Sequence, residues 1–267
     1  MVVRMIHWLG RGAIAIAAIA LVANCQIMIL ERPPEEAMPS LKIMPLGDSI
    51  TDGYNLPGGY RFPLWQALRD RGYPIDFVGS QQNGPATWPE REHEGHSGWK
   101  IAQIHQRLTG WLATTQPDII LLLIGTNDIA QGDRLTAAPD RLTTLLATIH
   151  SQLPQAQVLV ASIPPIADPQ LDAQVRAYNA AIPAVVAQQQ AREQAVYFVD
   201  VYPALTEADL ADGVHPNQSG HDKIAAAWLA TLLSNVLPAR SPETADVSFS
   251  SMSPKIVPES RITTLWH

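Results

Sequence analysis

Six consecutive apolar residues, Ile119-Ile120-Leu121-Leu122-Leu123-Ile124, constrain this chain more than any other feature. Side chains of a strand point alternately to its two faces, so an unbroken apolar strand needs cover on both. Helices on either side of a parallel sheet supply that cover. Shorter apolar runs lie at 42–46, 75–78, 157–163 and 196–199, which with 118–124 makes five expected strands. Helical patterns fall at 62–71, 101–114, 135–153, 169–191 and 219–237. The alternation predicts an α/β fold: a three-layer α/β/α sandwich on a five-stranded parallel sheet, in the flavodoxin-like order 2-1-3-4-5. Ligands of such folds gather at the carboxyl edge, between strands 1 and 3, where the strand order reverses.

The pattern occupies residues 41–237, and the flanks differ in character. Residues 31–40 are Pro- and charge-rich and read as a linker, while 238–267, rich in Ser, Pro and Thr without an apolar period, read as a disordered tail. Arg4 and Arg11 precede the apolar run Gly12–Ala23, the order of a signal peptide. Leu21-Val22-Ala23-Asn24-Cys25 resembles a lipoprotein lipobox, with Asn24 departing from the usual small residue. Counted on to Leu30, the run is also long enough to span a bilayer uncleaved. Residues 1–30 are thus expected to export the chain, as a signal peptide or as an N-terminal membrane anchor. Each flank balances three basic against three acidic residues, so the net charge of −7 belongs to the central block. An acidic, unclustered surface argues against nucleic acid as a partner. Cys25 is the only cysteine, so the block contains no disulfide.

Two glycine-led polar turns emerge where the fold favours a ligand. Gly47-Asp48-Ser49 follows the first strand and Gly125-Thr126-Asn127-Asp128 the third. A serine hydroxyl is a weak nucleophile at neutral pH; it needs a histidine to take its proton and a carboxylate to orient that histidine. Among eight histidines, His215 has Asp212 three residues before it, in a glycine-containing loop ahead of the last helix. Asn127 offers an amide donor for a developing oxyanion, and the Gly98 N–H in Gly95-His96-Ser97-Gly98-Trp99 offers another. Ser97 is a rival nucleophile without a G-x-S-x-G elbow. His221, within the last helix, is expected exposed or capping. His93 and His96 alternate with Glu92 and Glu94, without H-x-x-x-H or Cys/His spacing, so no metal is assigned.

Taken in order, Gly47-Asp48-Ser49-Ile50, Gly98, Gly125-Thr126-Asn127-Asp128 and Asp212-x-x-His215 resemble the blocks of the SGNH, or GDSL, hydrolase superfamily. The resemblance implies Ser49 as nucleophile, His215 as general base and then acid, and Asp212 as its orienting carboxylate. It implies an oxyanion hole from Gly98, Asn127 and the Ser49 N–H, and no cofactor. Ile43–Thr51, Gly59-Tyr60-Arg61, Asp76–Ser80 and His93–Trp99 look like carbohydrate esterase family 3, whose members deacetylate xylan. Tyr60 and Arg61 then match a pocket-shaping element at the substrate.

The expectation is an exported serine esterase acting on short-chain esters, acetyl above all, of a small molecule or polysaccharide. A lipase, phospholipase or acyl-thioesterase is the alternative within the superfamily. From another class comes a non-catalytic glycan-binding module, with Trp88, Trp99 or Trp111 stacking on sugars.

Overall fold

The computed structural model describes residues 40–133 and 135–239. The expected export segment with Cys25, and the linker and tail apart from Ser40, Pro238 and Ala239, lie outside them. The strands are β1 (Leu41–Gly47), β2 (Ile75–Phe77), β3 (Gln81–Gln82), β4 (Glu92–Gly95), β5 (Ile119–Leu123), β6 (Gln157–Ala161) and β7 (Val196–Val199). The helices are α1 (Ser49–Asp52), α2 (Arg61–Arg69), α3 (Ile101–Thr115), α4 (Thr126–Ala130), α5 (Ala138–Gln152), α6 (Pro169–Gln190) and α7 (Gln218–Asn235).

All five residues of β5 are buried, as the opening run requires, and β5 lies between β1 and β6. The order β2-β1-β5-β6-β7, parallel throughout, is the expected one. The expected count of five strands is not. The described residues form seven, because β4 adds parallel to β1 and β3 pairs antiparallel with β4. Glu92-His93-Glu94-Gly95 has no apolar residue, so hydropathy carried no signal of β4. It is a strand because the free edge of β1 needs a partner for its backbone.

That edge is shared. β2 pairs with residues 41–43 of β1 and β4 with residues 46–47, leaving a gap between them. Pro45 fills the gap. The carbonyls of Ile43 and Gly47 point to this side, accepting from Val78 and His96 at 2.9 Å, and Pro45 shares their direction. Its missing N–H therefore falls where no strand needs a donor, which is how a proline sits in a central strand.

Helix layers cover both faces. α3 packs on α5 and α5 on α6, while α2 packs on α7. Crossovers of one hand that run from β1 to β2 and from β5 to β7 move in opposite directions, which puts the two sets on opposite faces. The sandwiched core is apolar, with Ile43, Met44, Leu46, Leu121, Leu145, Val158 and Trp228 among its fully buried members.

Candidate active site

Three strand ends finish level. Gly47 pairs with Gly95 on one side and with Leu123 on the other. The turns that follow carry Ser49, Gly98 and Asn127, so one row of backbone register delivers all three to one edge. Gly47 is needed for close approach: a Cβ there would lie 2.1 Å from the Leu123 carbonyl oxygen. α1 begins at Ser49 itself, and Asp48 is its N-cap, its Oδ1 accepting the Ile50 N–H at 3.0 Å. The cap fixes the backbone angle at which Ser49 leaves the strand.

Asp48 is fully buried, and its Oδ2 has no hydrogen-bond partner among the described residues; neither has Thr126 Oγ1. Burial pushes its pKa up to about 7, although the Ile50 N–H and the nearby His215 pull the other way. A half-satisfied carboxyl behind the serine was not singled out from the sequence. It sits inside the Gly-Asp-Ser string, where a residue before a strand-end helix is a cap by position.

Ser49 Oγ lies 2.9 Å from His215 Nε2, and His215 Nδ1 lies 2.8 Å from Asp212 Oδ2. Asp212 Oδ1 accepts the backbone N–H of His215 at 2.8 Å and of Val214 at 3.0 Å. One carboxylate thus holds both the ring and the loop that bears it. Partial burial would raise the Asp212 pKa, but the His215 N–H, the His215 ring and the Val214 N–H outweigh it and hold it below the usual carboxylate value. An ionised Asp212 can only accept, so Nδ1 carries the ring proton and Nε2 is left to accept from the serine hydroxyl. The Asp212-x-x-His215 spacing suggested the second of these contacts and the family resemblance the first; the structure brings all three residues together, with Ser49 and His215 166 positions apart.

Gly98 and Asn127 flank the serine from β4 and β5. Residues 96–99 form a turn closed by the Trp99 N–H on the His96 carbonyl at 3.1 Å. Gly98, third in it, has φ +80, which glycine takes without penalty and which a type II turn requires. The Asn127 amide donates to the Trp99 carbonyl at 3.0 Å, so one N–H of the pair ties the two loops and the second is available to a ligand.

A buried pair supports this turn. His96 stacks on both Trp99 and Trp111, with ring centroids 4.3 and 4.8 Å away and planes within 22° and 11°, and the two indoles also touch each other, 6.2 Å apart. Its Nε2 lies 2.6 Å from Oε1 of fully buried Glu94, whose two oxygens also take Ser80 Oγ at 2.6 Å and Ser80 N–H at 2.7 Å. Of the alternating histidines and glutamates, His96 and Glu94 thus pair with each other, while Glu92 is exposed and His93 Nδ1 accepts the Gly95 N–H. The Ser97 hydroxyl donates to Asp52 Oδ2 at 2.5 Å and not to a histidine, unlike that of Ser49.

Tyr60 and Arg61 are fully buried and present nothing to a ligand directly. Arg61 donates to the carbonyls of Thr51 and Arg91, at 3.0 and 3.1 Å, and to Asn83 Oδ1 at 2.6 Å. Asn83 in turn donates to Asp52 Oδ1 at 2.7 Å, so Arg61 braces the end of α1 from beneath. Tyr60 meets Thr51 Oγ1 at 3.1 Å, also under α1. His221, expected exposed or capping, is fully buried. The cause is steric: its ring packs on Gly59, where a Cβ would come within 3.1 Å of it. Burial, then Arg61 and His215, lower its pKa to about 4. Trp88 is core, 2% exposed.

A protein-family model described as the GDSL-like Lipase/Acylhydrolase family matches residues 46–223. The "Multidomain esterase" of Ruminococcus flavefaciens is 34% identical over 218 residues, covering 71% of this chain but 28% of that protein. A second curated relative is spanned over 55% of its length, so the chain matches only part of either. A family 3 carbohydrate esterase of Clostridium thermocellum is 36% identical, with TM-score 0.67 over 73% of this chain and 96% of that one. An acetyl esterase solved with an acetate ion is 33% identical, with TM-score 0.65 over 72% of this chain and 96% of that one.

Proposed function

The chain belongs to the GDSL-like lipase/acylhydrolase family, and from that premise we propose that it is a serine esterase that removes short acyl groups, acetyl above all, from carbohydrate. One observation carries the reading: the unbroken line from Ser49 Oγ through both nitrogens of His215 to Asp212, at 2.9 and 2.8 Å. The acyl and alcohol preferences rest on the similarity to a family 3 carbohydrate esterase and an acetyl esterase.

Ser49 Oγ attacks the ester carbonyl carbon while His215 Nε2 takes the hydroxyl proton. The carbonyl π electrons move to oxygen, which becomes an oxyanion met by the N–H groups of Ser49 and Gly98 and the Asn127 amide. Collapse breaks the bond to the alcohol, which leaves with the proton from Nε2. Ser49 is now acylated and His215 neutral. Water then attacks the acyl carbon with its proton passing to Nε2, and the second collapse returns that proton to Ser49 Oγ and frees the acid. Asp212 stays ionised, fixing the tautomer and stabilising the imidazolium in each half. No step calls for a cofactor.

The test is hydrolysis of acetyl, butyryl and octanoyl esters by wild type and by Ser49→Ala. Acetyl esters are expected to react fastest, and the variant to lose on the order of 10⁶ in kcat while melting as wild type does. A variant that keeps its rate refutes the nucleophile, and faster octanoyl turnover refutes the acyl class. Export through residues 1–30 belongs to the same proposal, because polymeric glycans lie outside the cytoplasm; fractionation of an expressing host checks it.

A further inference from the structure

Tyr54 and Leu233 are the exposed large apolar side chains among the described residues, and Tyr54 is much the more open, at 64% against 37%. It stands beside the triad. Its ring centroid is 5.2 Å from that of His215, with the planes tilted by 39°. Nothing in the hydrolytic chemistry uses it.

Its position is held. The Gly53 and Tyr54 N–H groups both donate to the Ser49 carbonyl, at 2.9 and 3.1 Å, so Tyr54 rides on the first turn beyond the nucleophile. The next residue, Asn55, donates through Nδ2 to the carbonyl of Pro216, the residue after His215, at 3.3 Å. The segment thus bridges the serine helix and the histidine loop, and its tyrosine has a set place against the imidazole. A freely moving surface aromatic would not be tied at both sides.

The reaction says what must lie there. The departing alcohol receives its proton from His215 Nε2, so its oxygen comes within hydrogen-bond reach of that atom, about 2.6–3.2 Å. The acyl oxygen goes elsewhere, to the N–H groups of Ser49 and Gly98 and the Asn127 amide. Whatever carbon skeleton the alcohol carries must therefore spread out from Nε2, beside the histidine, where the exposed ring is Tyr54. A tyrosine face is electron-rich and apolar while its rim is polar. A pyranose has the matching form, with C–H bonds on its faces and hydroxyls around its edge. Stacking covers the C–H face and leaves the hydroxyls in water.

We propose that Tyr54 is the platform of the alcohol subsite, stacking on the sugar ring whose ester Ser49 attacks. The proposal rests on the reading of the substrate as a carbohydrate ester. Tyr54 binds and orients; it takes no part in proton transfer. It acts on the ring-bearing alcohol and so sets specificity between esters that share one acyl group.

The experiment compares two acetates in the full chain: a mono-acetylated methyl β-xylopyranoside, which has a ring to stack, and ethyl acetate, which has none. Wild type is expected to prefer the sugar ester in kcat/KM. Tyr54→Ala should cut that preference about tenfold, the size of one lost stacking contact. Tyr54→Phe and Tyr54→Trp should keep it, because they keep the face. Thermal melting checks that each variant is folded. If Tyr54→Ala loses activity equally on both esters, the ring serves only to pack His215 and the platform is refuted. If wild type prefers the sugar and Tyr54→Ala does also, the platform is refuted while the carbohydrate reading stands. If wild type shows no preference for the sugar, the carbohydrate reading fails and takes the platform with it.

Discussion

Replacing Asp48 by asparagine should make the protein less sensitive to rising pH, and the expected size follows from the site. Asp48 is wholly buried; Oδ1 accepts the Ile50 N–H and Oδ2 has no hydrogen-bond partner among the described residues. Its pKa is held at about 7, against 3.8 for a free carboxyl. At about 1.4 kcal/mol for each tenfold, ionising it costs about 4 kcal/mol more in the folded chain than in the unfolded one. The sign follows from proton counts. Above pH 3.8 the unfolded chain has given up this proton while the folded chain keeps it until about 7. Across that window the unfolded state binds fewer protons, so stability falls as pH rises. Asparagine keeps the acceptor for Ile50 and has no proton to lose. The unfolding free energy of Asp48→Asn minus that of wild type should therefore grow by about 3 kcal/mol between pH 4 and pH 7. Urea denaturation of both proteins at pH 4, 5, 6 and 7 measures it, and titrating groups that do not interact with Asp48 cancel in the difference. Asp48→Ala should remove the same slope but lie about 1 kcal/mol lower throughout, for the lost cap. A difference that stays constant with pH refutes the reasoning, because Asp48 would then ionise equally easily in both states.

Other sites give equally direct expectations. Gly98→Ala has room for its Cβ, with nothing within 4 Å, but not the backbone angle; it should cost about 1 kcal/mol in denaturation and lower kcat as the turn shifts. Asn127→Ala should lower kcat by about 10²-fold or more with a smaller change in KM, measured by steady-state kinetics on an acetyl ester. His96→Ala leaves buried Glu94 with only its two bonds from Ser80 and removes the ring that stacks on two indoles; urea denaturation should show a loss of about 2 kcal/mol, with His96→Phe regaining the stacking part but not the hydrogen bond. Arg61→Lys keeps the charge but cannot reach the Thr51 and Arg91 carbonyls and Asn83 together, so urea unfolding should show a loss of about 2 kcal/mol.

Much of the site was legible because its chemistry demands rare residue types at fixed places along the chain. Ser49, Asn127 and the Asp212–His215 pair each follow an element whose direction hydropathy reveals. What escaped was whatever works through burial. Glu94 and His93 sit at 0% exposure on a strand with no apolar residue, and a polar strand looks like a loop. His221 lies on a helix whose polar neighbours suggested solvent, yet it faces Gly59. Tyr54 drew no notice, since an aromatic in a loop has meaning only beside what it touches.

By itself, the sequence determined that the central block is a doubly covered parallel sheet, because an unbroken apolar strand has no other stable setting. It also named Ser49, Asp212 and His215, the side chains that the fold brings into one hydrogen-bonded line. Only the tertiary structure decided their distances, the level ends of β1, β4 and β5, the extra strands on the open edge of β1, and the burial of Asp48 behind Ser49. Those depend on contacts between residues far apart in the chain, where packing and desolvation, unlike local pattern, choose which polar group is paired and which is left alone.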